Sequence, residues 1–491
     1  MNPPRIKLAL ILLLALIFGL GAFLRYSDLS QPLLDFHPTR QLFSAVKARG
    51  MAYQSLANIP DWQKDLSFRQ WQVEATIEPP IVENIAVFFY LRNGEENTAY
   101  PRAVSSTFWL LAAVFLGLLA YDLTGSLAAA TISLAFFLLA PYAIPASRAF
   151  QPDPLMVLFI ILFWWGIEQW ARKNSWRWAT LAGLAGGLAI FVKLPAVFFV
   201  AAGAVGAILA YSSPVSAVKN LKTWLVAILC ILPPAAYLYY GIYVAGFLGQ
   251  QFGGRFFPGF WFDPYFYLRW LLKVDLVVGV FPLALAVLGW WLFAAKPTRI
   301  FLTAIWIGYL VYGLVFPHHI ASHDYYSLPL IPLVALGLAL LIAGLQPHFS
   351  NLFQSRWAFL VFFFVASLFL VAHTITTYLD FRRADTRSAA QTYAEIGEAL
   401  QHQPGIVALT EEYGYPLAYY GWQNVSLWPA YNSVGYFEDA FARQTDQKAY
   451  FLVTDFEELA RQPELAQKLD TYTIFAQTNK YLIYDLKAPL P

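Results

Sequence analysis

Eleven long apolar stretches constrain this chain more than any other feature of its sequence. A helix needs about 20 apolar residues to cross a bilayer, with a range of roughly 17 to 25. We predict membrane-spanning helices over 7–24, 102–121, 126–145, 154–171, 176–192, 194–211, 222–245, 275–295, 300–316, 327–345 and 357–378. The composition agrees, because 59% of the 491 residues are hydrophobic and only 13% are charged, against about 25% charged residues in a soluble domain. The sequence therefore predicts an all-α polytopic membrane protein.

The distribution of basic residues in the short connections predicts the orientation of these helices in the membrane. If the N-terminus is cytoplasmic, the cytoplasmic connections hold Arg172, Lys173, Arg177, Lys219, Lys222, Lys296, Arg299 and Arg356. An excess of Lys and Arg marks cytoplasmic loops. We therefore predict a multi-pass protein of the plasma (inner) membrane, with the long loop 25–101 and the C-terminal residues outside the cytoplasm. The first span begins with Arg5 and Lys7 like a signal peptide, but it has no clean cleavage site, so we expect an uncleaved anchor.

The extracytoplasmic connections contain structure of their own. In the loop 25–101, "RQLFSAVKARGMAYQ" predicts an amphipathic helix on the membrane interface, with Leu42 and Val46 on one side and Lys47 and Arg49 on another. "EPPIVENIAVFFYL" predicts a second apolar helix that is too short to span. "FFPGFWFDPYFYLRW" is rich in aromatic residues and predicts a further interfacial segment.

The composition changes after Tyr378. A polar helical pattern follows over 387–402, and "GIVALT" and "AYFLVTD" predict buried strands. "YTIFAQT" and "YLIYDL" are separated by a short polar turn, which predicts a hairpin. We predict a small extracytoplasmic α/β domain over residues 381–491, after a membrane domain over residues 1–380.

Side chains capable of chemistry collect on the extracytoplasmic face. They are Asp35, His37, Arg40, Glu78, Arg102, Arg148, Asp153, Lys193, His318, His319, His323, Asp324, Tyr325 and Tyr326. Each has an ordinary interpretation: cations at helix ends snorkel towards water, an acid before a proline caps a helix, and tyrosines form an aromatic belt. The convergence of carboxylates, cations and imidazoles on one membrane surface favours a functional site.

The sequence gives no support for several other kinds of site and partner. "HHIASH" lacks the i, i+4 spacing of a zinc-binding helix and has no carboxylate beyond Asp324. We therefore predict no cofactor, although a divalent metal is not excluded. Cys230 is the only cysteine, so an internal disulfide cannot form. A net charge of +2 gives no reason to expect a nucleic-acid partner.

Six segments occur in the order found in a known family. They are "DFHPTRQLFSAVKARG", "EPPIVENIAVFFY", "YPRAVSSTFWLLAAVF", "SRAFQPDPLMVLF", "LAGGLAIFVKLPAVFF" and "HDYYSLPLIPLVALGL". In this respect the chain resembles the GT-C superfamily of integral-membrane glycosyltransferases over about residues 5–380. Within the superfamily it is similar to the dolichyl-phosphate-mannose-protein mannosyltransferases and the aminoarabinose lipid A transferases. The resemblance implies an inverting enzyme that transfers a hexose or pentose from a polyprenyl-phosphate donor to an extracytoplasmic lipid, glycan or protein.

The resemblance also implies roles for particular residues. Asp35 best matches the general base, Asp153 matches a second carboxylate of the same active site, and Glu78 is the third catalytic candidate. The candidates for binding the donor phosphate are Arg148, Lys193 and Arg102. The candidates for binding the rest of the substrates are His37, Arg40, His323, Tyr325 and Tyr326. The inventory suits the chemistry, because a phosphate leaving group needs cations and a hydroxyl acceptor needs a carboxylate base.

The chain departs from the family in two places, and these departures leave alternatives open. Many relatives read "HPDE" where this chain reads "HPTR", and the aminoarabinose branch has a lysine where this chain has Glu78. One alternative is a transporter or flippase for a lipid-linked or anionic substrate, which would favour charges in the middle of spans rather than at their ends. The other is a catalytically inert membrane receptor whose C-terminal domain binds a partner.

Overall fold

A computed structural model of the chain describes residues 3–249, 256–349 and 356–490. The α-helices, in chain order, are α1 (Pro3–Tyr26), α2 (Pro38–Tyr53), α3 (Asp61–Val73), α4 (Ile81–Asn93), α5 (Ala99–Thr124), α6 (Leu127–Leu139), α7 (Ala143–Arg148), α8 (Asp153–Lys173), α9 (Trp176–Val192), α10 (Val197–Tyr211), α11 (Pro214–Lys219), α12 (Leu221–Tyr239), α13 (Pro264–Val278), α14 (Val280–Phe293), α15 (Lys296–Val315), α16 (Pro317–Ser322), α17 (Leu330–Phe349), α18 (Arg356–Arg383), α19 (Arg387–Ala399), α20 (Tyr415–Tyr419), α21 (Phe437–Thr445), α22 (Phe456–Ala460) and α23 (Pro463–Leu469). The strands are β1 (Ile406–Leu409), β2 (Val425–Leu427), β3 (Tyr450–Val453), β4 (Tyr472–Gln477) and β5 (Leu482–Pro489).

The chain divides into two compact units. The helical unit comprises Met1–Leu29, Ala75–Ile81 and Arg102–Arg383. The sheet unit comprises Ser30–Glu74, Val82–Pro101 and Ala384–Pro491. Most of the long loop after α1 therefore packs with the C-terminal residues, whereas the sequence assigned it to the membrane domain.

The helical unit contains the membrane-spanning helices. By length and composition, eight spans among the described residues can cross a membrane: those of α1, α5, α8, α15, α17 and α18, that of α10 with the turn before it (Leu194–Tyr211), and that of α12 with its continuation (Leu221–Val244). The pair α13 and α14 is bent by 87° and is a candidate for a ninth span. The shorter apolar helices α6 and α9 lie on two more of the predicted spans. The prediction of an all-α polytopic membrane protein is confirmed.

The predicted span 275–295 is wrong as a single straight helix. α13 ends at Val278, Gly279 has a φ of 76°, and a new helix begins at Val280. Only a residue without Cβ readily adopts such a φ, and Asp275 Oδ1 accepts a hydrogen bond from Val280 N at 2.8 Å. Hydropathy does not reveal this bend, because the glycine interrupts a continuous apolar run. The aromatic segment predicted for the interface continues into α13.

Close packing of α9 fixes the position of the residue that follows it. A Cβ atom on Gly187 would overlap the carbonyl oxygen of Leu229 in α12, so the glycine lets the two helices approach more closely than other residues would allow. α9 ends at Val192, and Lys193 follows in an extended conformation. The turn Leu194–Ala196 then leads into α10.

The sheet unit is built on a five-stranded mixed sheet with helices on both faces. The strand order is β2-β1-β3-β5-β4, in which β2, β1 and β3 are parallel and β4 and β5 form an antiparallel hairpin. Ile406 and Ala408 of β1 face a core with α19, while Val407 and Leu409 face a core with α21 and α23. The predicted C-terminal α/β fold is confirmed, and the three-residue strand β2 was not predicted.

Helices also form in the long loop after α1. Both helices predicted there are present as α2 and α4, and α3 was not predicted. Lys47 and Arg49 are only 3% and 6% exposed. The prediction of a surface helix with these two cations outward is therefore wrong. Arg49 instead forms a buried ion pair, with its Nε 2.9 Å from Glu96 Oε2.

Candidate active site

The turn "SRAFQPD" joins two helices of the helical unit. α7 ends at Arg148, and α8 begins at Asp153 with Pro154 in its first turn. The start of a helix favours a carboxylate, because its backbone N–H groups carry partial positive charge. Asp153 is 1% exposed, and its Oδ1 lies 2.8 Å from Lys193 Nζ. The structure thus joins a predicted catalytic acid to a predicted phosphate-binding cation.

Two tyrosine rings lie beside Lys193. Its Nζ is 5.0 Å from the ring centroid of Tyr325 and 5.3 Å from that of Tyr326. At this range the face of an aromatic ring attracts a cation. Both tyrosines belong to the turn Asp324–Ser327 in the "HDYY" segment. Two predicted substrate-binding residues therefore contact the same lysine.

A small cavity of about 60 Å³ lies beside Lys193. Its polar lining consists of Glu78, Lys193, Tyr237 and Tyr326, and its remaining walls are apolar. The structure thus places Glu78, the third catalytic candidate, at the same cavity as Lys193. Apolar walls strengthen the electrostatic interactions of both charges, because they lower the local dielectric constant.

A second buried acid lies in the "HDYY" segment. The hydroxyl of Tyr142 donates to Asp324 Oδ1 at 2.6 Å, and Asp324 is 8% exposed. No role was predicted for Asp324, and Tyr142 gave no signal in the sequence. Their hydrogen bond anchors the turn that presents Tyr325 and Tyr326 to Lys193.

The histidines of "HHIASH" make other contacts. The described ranges 3–249, 256–349 and 356–490 contain no group of three or more His, Cys, Asp or Glu side chains that could hold a metal ion. His323 Nδ1 lies 2.8 Å from Ser322 Oγ, and the ring of His318 lies near those of Phe257 and Phe260. A substrate-binding role for His323 stays a prediction.

Buried arginines occur near the ends of three helices. Arg148 is 2% exposed, and its Nη2 donates to the backbone oxygen of Asp28 at 2.7 Å. Arg102, in the first turn of α5, is fully buried. Arg25 was not singled out from the sequence, and it is also fully buried, with Nη1 bonded to two backbone oxygens at 2.9 and 2.8 Å. Backbone bonds hold Arg25 and Arg148 in place, and phosphate binding by Arg148 and Arg102 stays a prediction.

The acidic motif after α1 lies in the sheet unit. Asp35 and His37 precede α2, and Arg40 lies in its first turn. Gln41 reaches back from the helix: its Nε2 donates to Asp35 Oδ1 at 3.1 Å and to the backbone oxygen of the next residue at 2.6 Å. The idea that Asp35 and Asp153 share one active site stays a prediction.

The turn "SRAFQPD" also contains a polar residue that was not predicted from the sequence. Gln151 is fully buried, and neither its amide nitrogen nor its amide oxygen has a hydrogen-bond partner among the described residues. The same is true of Asp153 Oδ2. Buried polar atoms are nearly always hydrogen-bonded, so these three atoms are suited to a polar ligand. In the sequence, only the position of Gln151, two residues before Asp153, could have indicated a role for it.

Part of the chain matches a known family. Residues 84–247 match the sequence model of the family described as dolichyl-phosphate-mannose-protein mannosyltransferase. The matched range includes Asp153 and Lys193, and it confirms the resemblance drawn from the sequence segments. No curated protein sequence is significantly similar to the chain.

Solved structures share the fold over nearly the whole chain. The structure of ArnT from Cupriavidus metallidurans bound to undecaprenyl phosphate is 14% identical with a TM-score of 0.57, covering 99% of this chain and 98% of that one. The apo state of the same protein is 16% identical with a TM-score of 0.59, covering 98% and 97%. The apo oligosaccharyltransferase of Archaeoglobus fulgidus is 13% identical with a TM-score of 0.51, covering 90% and 69%. At these identities the likeness concerns the fold.

Proposed function

We propose that this chain, which has the fold of the GT-C integral-membrane glycosyltransferases, transfers a sugar from a polyprenyl-phosphate donor to a hydroxyl of an extracytoplasmic acceptor. The observation that carries the proposal is the buried pair of Lys193 and Asp153, 2.8 Å from Nζ to Oδ1, in which Lys193 lines a cavity. Two comparisons support the donor class. The matching family is described by dolichyl-phosphate-mannose, and one ArnT structure was solved with undecaprenyl phosphate.

Lys193 is the proposed ligand of the donor phosphate. An ammonium group has three donors, and Asp153 accepts one of them. As the sugar leaves, negative charge grows on the phosphate, and a fixed cation in a low-dielectric site offsets it. The cavity has Glu78 where the aminoarabinose branch has a lysine, so Lys193 supplies the cation there. We propose that Arg148 and Arg102 add to the positive potential.

The proposed reaction is a single displacement. The acceptor oxygen forms a bond to the anomeric carbon, and the bond from that carbon to the phosphate oxygen breaks with its electron pair moving to the phosphate. The acceptor proton passes to a carboxylate, for which Asp35 is the proposed base. Displacement in one step inverts the configuration at the anomeric carbon.

Asp153 and its neighbours are proposed to orient the sugar. Lys193 holds one oxygen of Asp153, and the other oxygen has no hydrogen-bond partner in the described part of the chain. We propose that this oxygen accepts a hydrogen bond from a sugar hydroxyl. The other proposed contacts with the sugar or the acceptor are His37, Arg40, His323, Tyr325 and Tyr326.

Binding of undecaprenyl phosphate to the purified full-length chain tests the role of Lys193. Replacing Lys193 with Gln removes a hydrogen bond from a charged donor, worth about 1.5–3 kcal/mol, so affinity should fall roughly 10- to 150-fold. The matched control is Lys222→Gln, at the start of α12, where the lysine lies 5.3 Å from the ring of Trp176. The control should bind as the wild type does. Unchanged affinity in a folded Lys193→Gln protein would rule out the phosphate role.

Donor consumption separates a transferase from the transporter and receptor alternatives. With dolichyl-phosphate mannose and a cell-envelope extract as acceptor, a transferase releases dolichyl phosphate. A transporter moves the intact donor across the bilayer, and a receptor leaves it unchanged. Movement of intact donor across the proteoliposome membrane, without release of dolichyl phosphate, would contradict the proposed reaction.

The side of the membrane is also a proposal. The basic residues in the short connections favour an extracytoplasmic C-terminus. A reporter that is active only outside the cytoplasm should therefore be active when it is fused after Tyr378. Activity of a strictly cytoplasmic reporter at that position would reverse the assigned topology.

A further inference from the structure

An acid near the C-terminus caps a helix that lies about 370 residues earlier in the chain. Glu412 Oε2 accepts hydrogen bonds from Thr39 N at 3.0 Å and from Thr39 Oγ1 at 2.5 Å. Thr39 is the second residue of α2, and the residue before this helix, His37, makes no capping hydrogen bond with its side chain. The first N–H groups of a helix lack intrahelical partners and attract negative charge. Glu412 therefore supplies the cap that the local sequence does not provide.

The backbone that carries this carboxylate is strained. Glu412, Tyr413 and Gly414 have φ values of 51°, 54° and 74°. A residue with a side chain loses roughly 1–2 kcal/mol in the left-handed region, and such strain persists where the surrounding structure requires it. These residues follow β1 at its carboxyl end, the edge at which open α/β sheets place functional loops. The strained turn presents the Glu412 carboxylate to α2.

A residue of the capped helix bonds to the proposed general base, Asp35, which precedes the helix. Gln41, two residues after Thr39, is fully buried, and its Nε2 donates to Asp35 Oδ1 at 3.1 Å. A shift of the first turn of α2 would move Gln41 and would alter its bond to Asp35. Glu412 is therefore connected to Asp35 through the first turn of α2: Glu412 bonds to Thr39, and Gln41 of the same turn bonds to Asp35.

The residues after Glu412 bind the middle of the same helix. The guanidinium of Arg49 lies over the rings of Tyr419 and Trp422, with its Cζ 3.7 and 4.2 Å from their centroids. Its Nη1 donates to the backbone oxygen of Tyr419 at 2.6 Å. The segment 412–422 thus contacts α2 at two places: Glu412 bonds to its start, and the rings of Tyr419 and Trp422 lie beside its Arg49.

We propose that Glu412 is a positioning residue for Asp35. By fixing the first turn of α2 it fixes Gln41, and through Gln41 it sets the direction of the carboxylate that takes the acceptor proton. The C-terminal part of the chain then belongs to the machinery of sugar transfer, rather than being a module that binds a separate partner. The inference rests on the proposed function, because it takes Asp35 as the base.

The first test separates turnover from donor binding in the full-length chain. With dolichyl-phosphate mannose as donor, Glu412→Ala should lower kcat by up to about 100-fold, the scale expected of a misplaced catalytic group. Affinity for undecaprenyl phosphate should stay unchanged, because that ligand is assigned to Lys193. Glu412→Gln keeps an acceptor oxygen and should retain more of the rate. The matched control is Glu411→Gln, an exposed neighbour that should behave as the wild type.

A double-mutant cycle shows whether Glu412 acts through Asp35. Asp35→Asn should lower the rate 10²- to 10⁴-fold, and adding Glu412→Ala to that variant should cause no further loss. Near-normal turnover of Asp35→Asn would overturn both the base assignment and the inference. A large loss in Asp35→Asn with a normal rate in Glu412→Ala would overturn the inference alone, as would losses that multiply in the double variant. If Glu412→Ala does not fold, Glu412→Gln takes its place in the cycle.

Hydrogen exchange gives a readout that does not depend on turnover. In Glu412→Ala the backbone amides of residues 35–41 should exchange faster than in the wild type, while Glu411→Gln should leave them protected. Equal protection in Glu412→Ala and the control would overturn the positioning role.

Discussion

Lys193–Asp153 in the helical unit and Arg49–Glu96 in the sheet unit are both buried ion pairs. Their charged atoms are 2.8 and 2.9 Å apart, and all four side chains are less than 10% exposed. The difference lies in their remaining polar atoms. Asp153 Oδ2 has no hydrogen-bond partner among the described residues, and Lys193 lines a cavity.

The pair in the sheet unit is saturated with hydrogen bonds. Glu96 accepts from the hydroxyl of Tyr53 at 2.6 Å and from that of Tyr419 at 2.5 Å, in addition to Arg49. Although burial lowers the pKa of Arg49, the facing Glu96 carboxylate raises it above its usual value. Burial, together with the charge of Glu96, raises the pKa of Tyr53 and keeps it a hydrogen-bond donor.

This difference is the one we expect between a pair that stabilises the fold and a pair that binds a ligand. Burying two charges costs free energy, which the pair recovers only when good geometry and further hydrogen bonds satisfy their other polar atoms. Arg49–Glu96 meets that condition within the protein. In the Lys193–Asp153 pair, Asp153 Oδ2 has no hydrogen-bond partner among the described residues and Lys193 lines a cavity, as the proposed binding of a sugar hydroxyl and a phosphate requires.

The largest expected effect is on the stability of the sheet unit. Arg49→Met leaves Glu96 buried without its cation, and breaking a buried pair in this way costs about 3–5 kcal/mol. The melting temperature of the full-length protein in detergent should fall by roughly 6–20 °C for the transition of this unit. Arg69→Met, at an exposed arginine of the same unit, is the control. A loss no larger than that of the control would remove the distinction between the two pairs.

A second set of variants replaces both partners of each ion pair by apolar residues. Lys193→Met with Asp153→Leu should leave the melting temperature nearly unchanged, because such replacements are often neutral or stabilising, and should abolish binding of undecaprenyl phosphate. Arg49→Met with Glu96→Leu should still destabilise, because the hydroxyls of Tyr53 and Tyr419 lose their acceptor.

Each buried hydroxyl left without a partner costs about 1–3 kcal/mol. The two double variants should therefore differ clearly in melting temperature. Equal stability losses in both would contradict the assignment of one pair to structure and the other to ligand binding.

We expect the smallest effect at Glu74, a carboxyl of the sheet unit that is not paired with a buried arginine as Glu96 is. Burial raises the pKa of Glu74 above its usual value, although the Tyr415 hydroxyl at 2.7 Å and the charge of Lys47 oppose this. The folded state then binds the proton more tightly than the unfolded state, so stability should fall as pH rises from about 4.5 through the raised pKa. Glu74→Gln should remove this decline and melt higher than the wild type at pH 7.

Melting temperatures from pH 4 to 8 check this prediction. The control is Glu95→Gln, at an exposed carboxylate of the same unit, which should follow the wild type. A wild-type curve parallel to that of Glu74→Gln across the whole range would show that burial of Glu74 has no energetic consequence.

Apolar patterning made most of the fold predictable. The spans, the two helices of the long loop and the C-terminal strands follow from local hydrophobic periodicity. The bend at Gly279 did not, because one glycine in an apolar run leaves hydropathy unchanged. The burial of Lys47 and Arg49 did not either, because the groups that cover a helix come from distant parts of the chain.

The sequence indicated several residues of the candidate site, but it did not indicate which of them contact one another. Asp153 and Lys193 could be singled out because each lies beside the end of a predicted span, and the basic residues of the short connections predict the same membrane face for both. Glu412 is separated by 373 residues from its partner Thr39, and no local pattern connects them. Gln151 is an ordinary turn residue in the sequence, and only its burial without a partner among the described residues gives it significance.

The proposed function depends above all on binding of the donor phosphate by Lys193. A structure of the full-length protein in nanodiscs with undecaprenyl phosphate would show this contact. We expect a phosphate oxygen within about 4 Å of Lys193 Nζ, the range of an ion pair, with Asp153 still beside the lysine. A phosphate bound elsewhere, with Lys193 still paired to Asp153 alone, would contradict it.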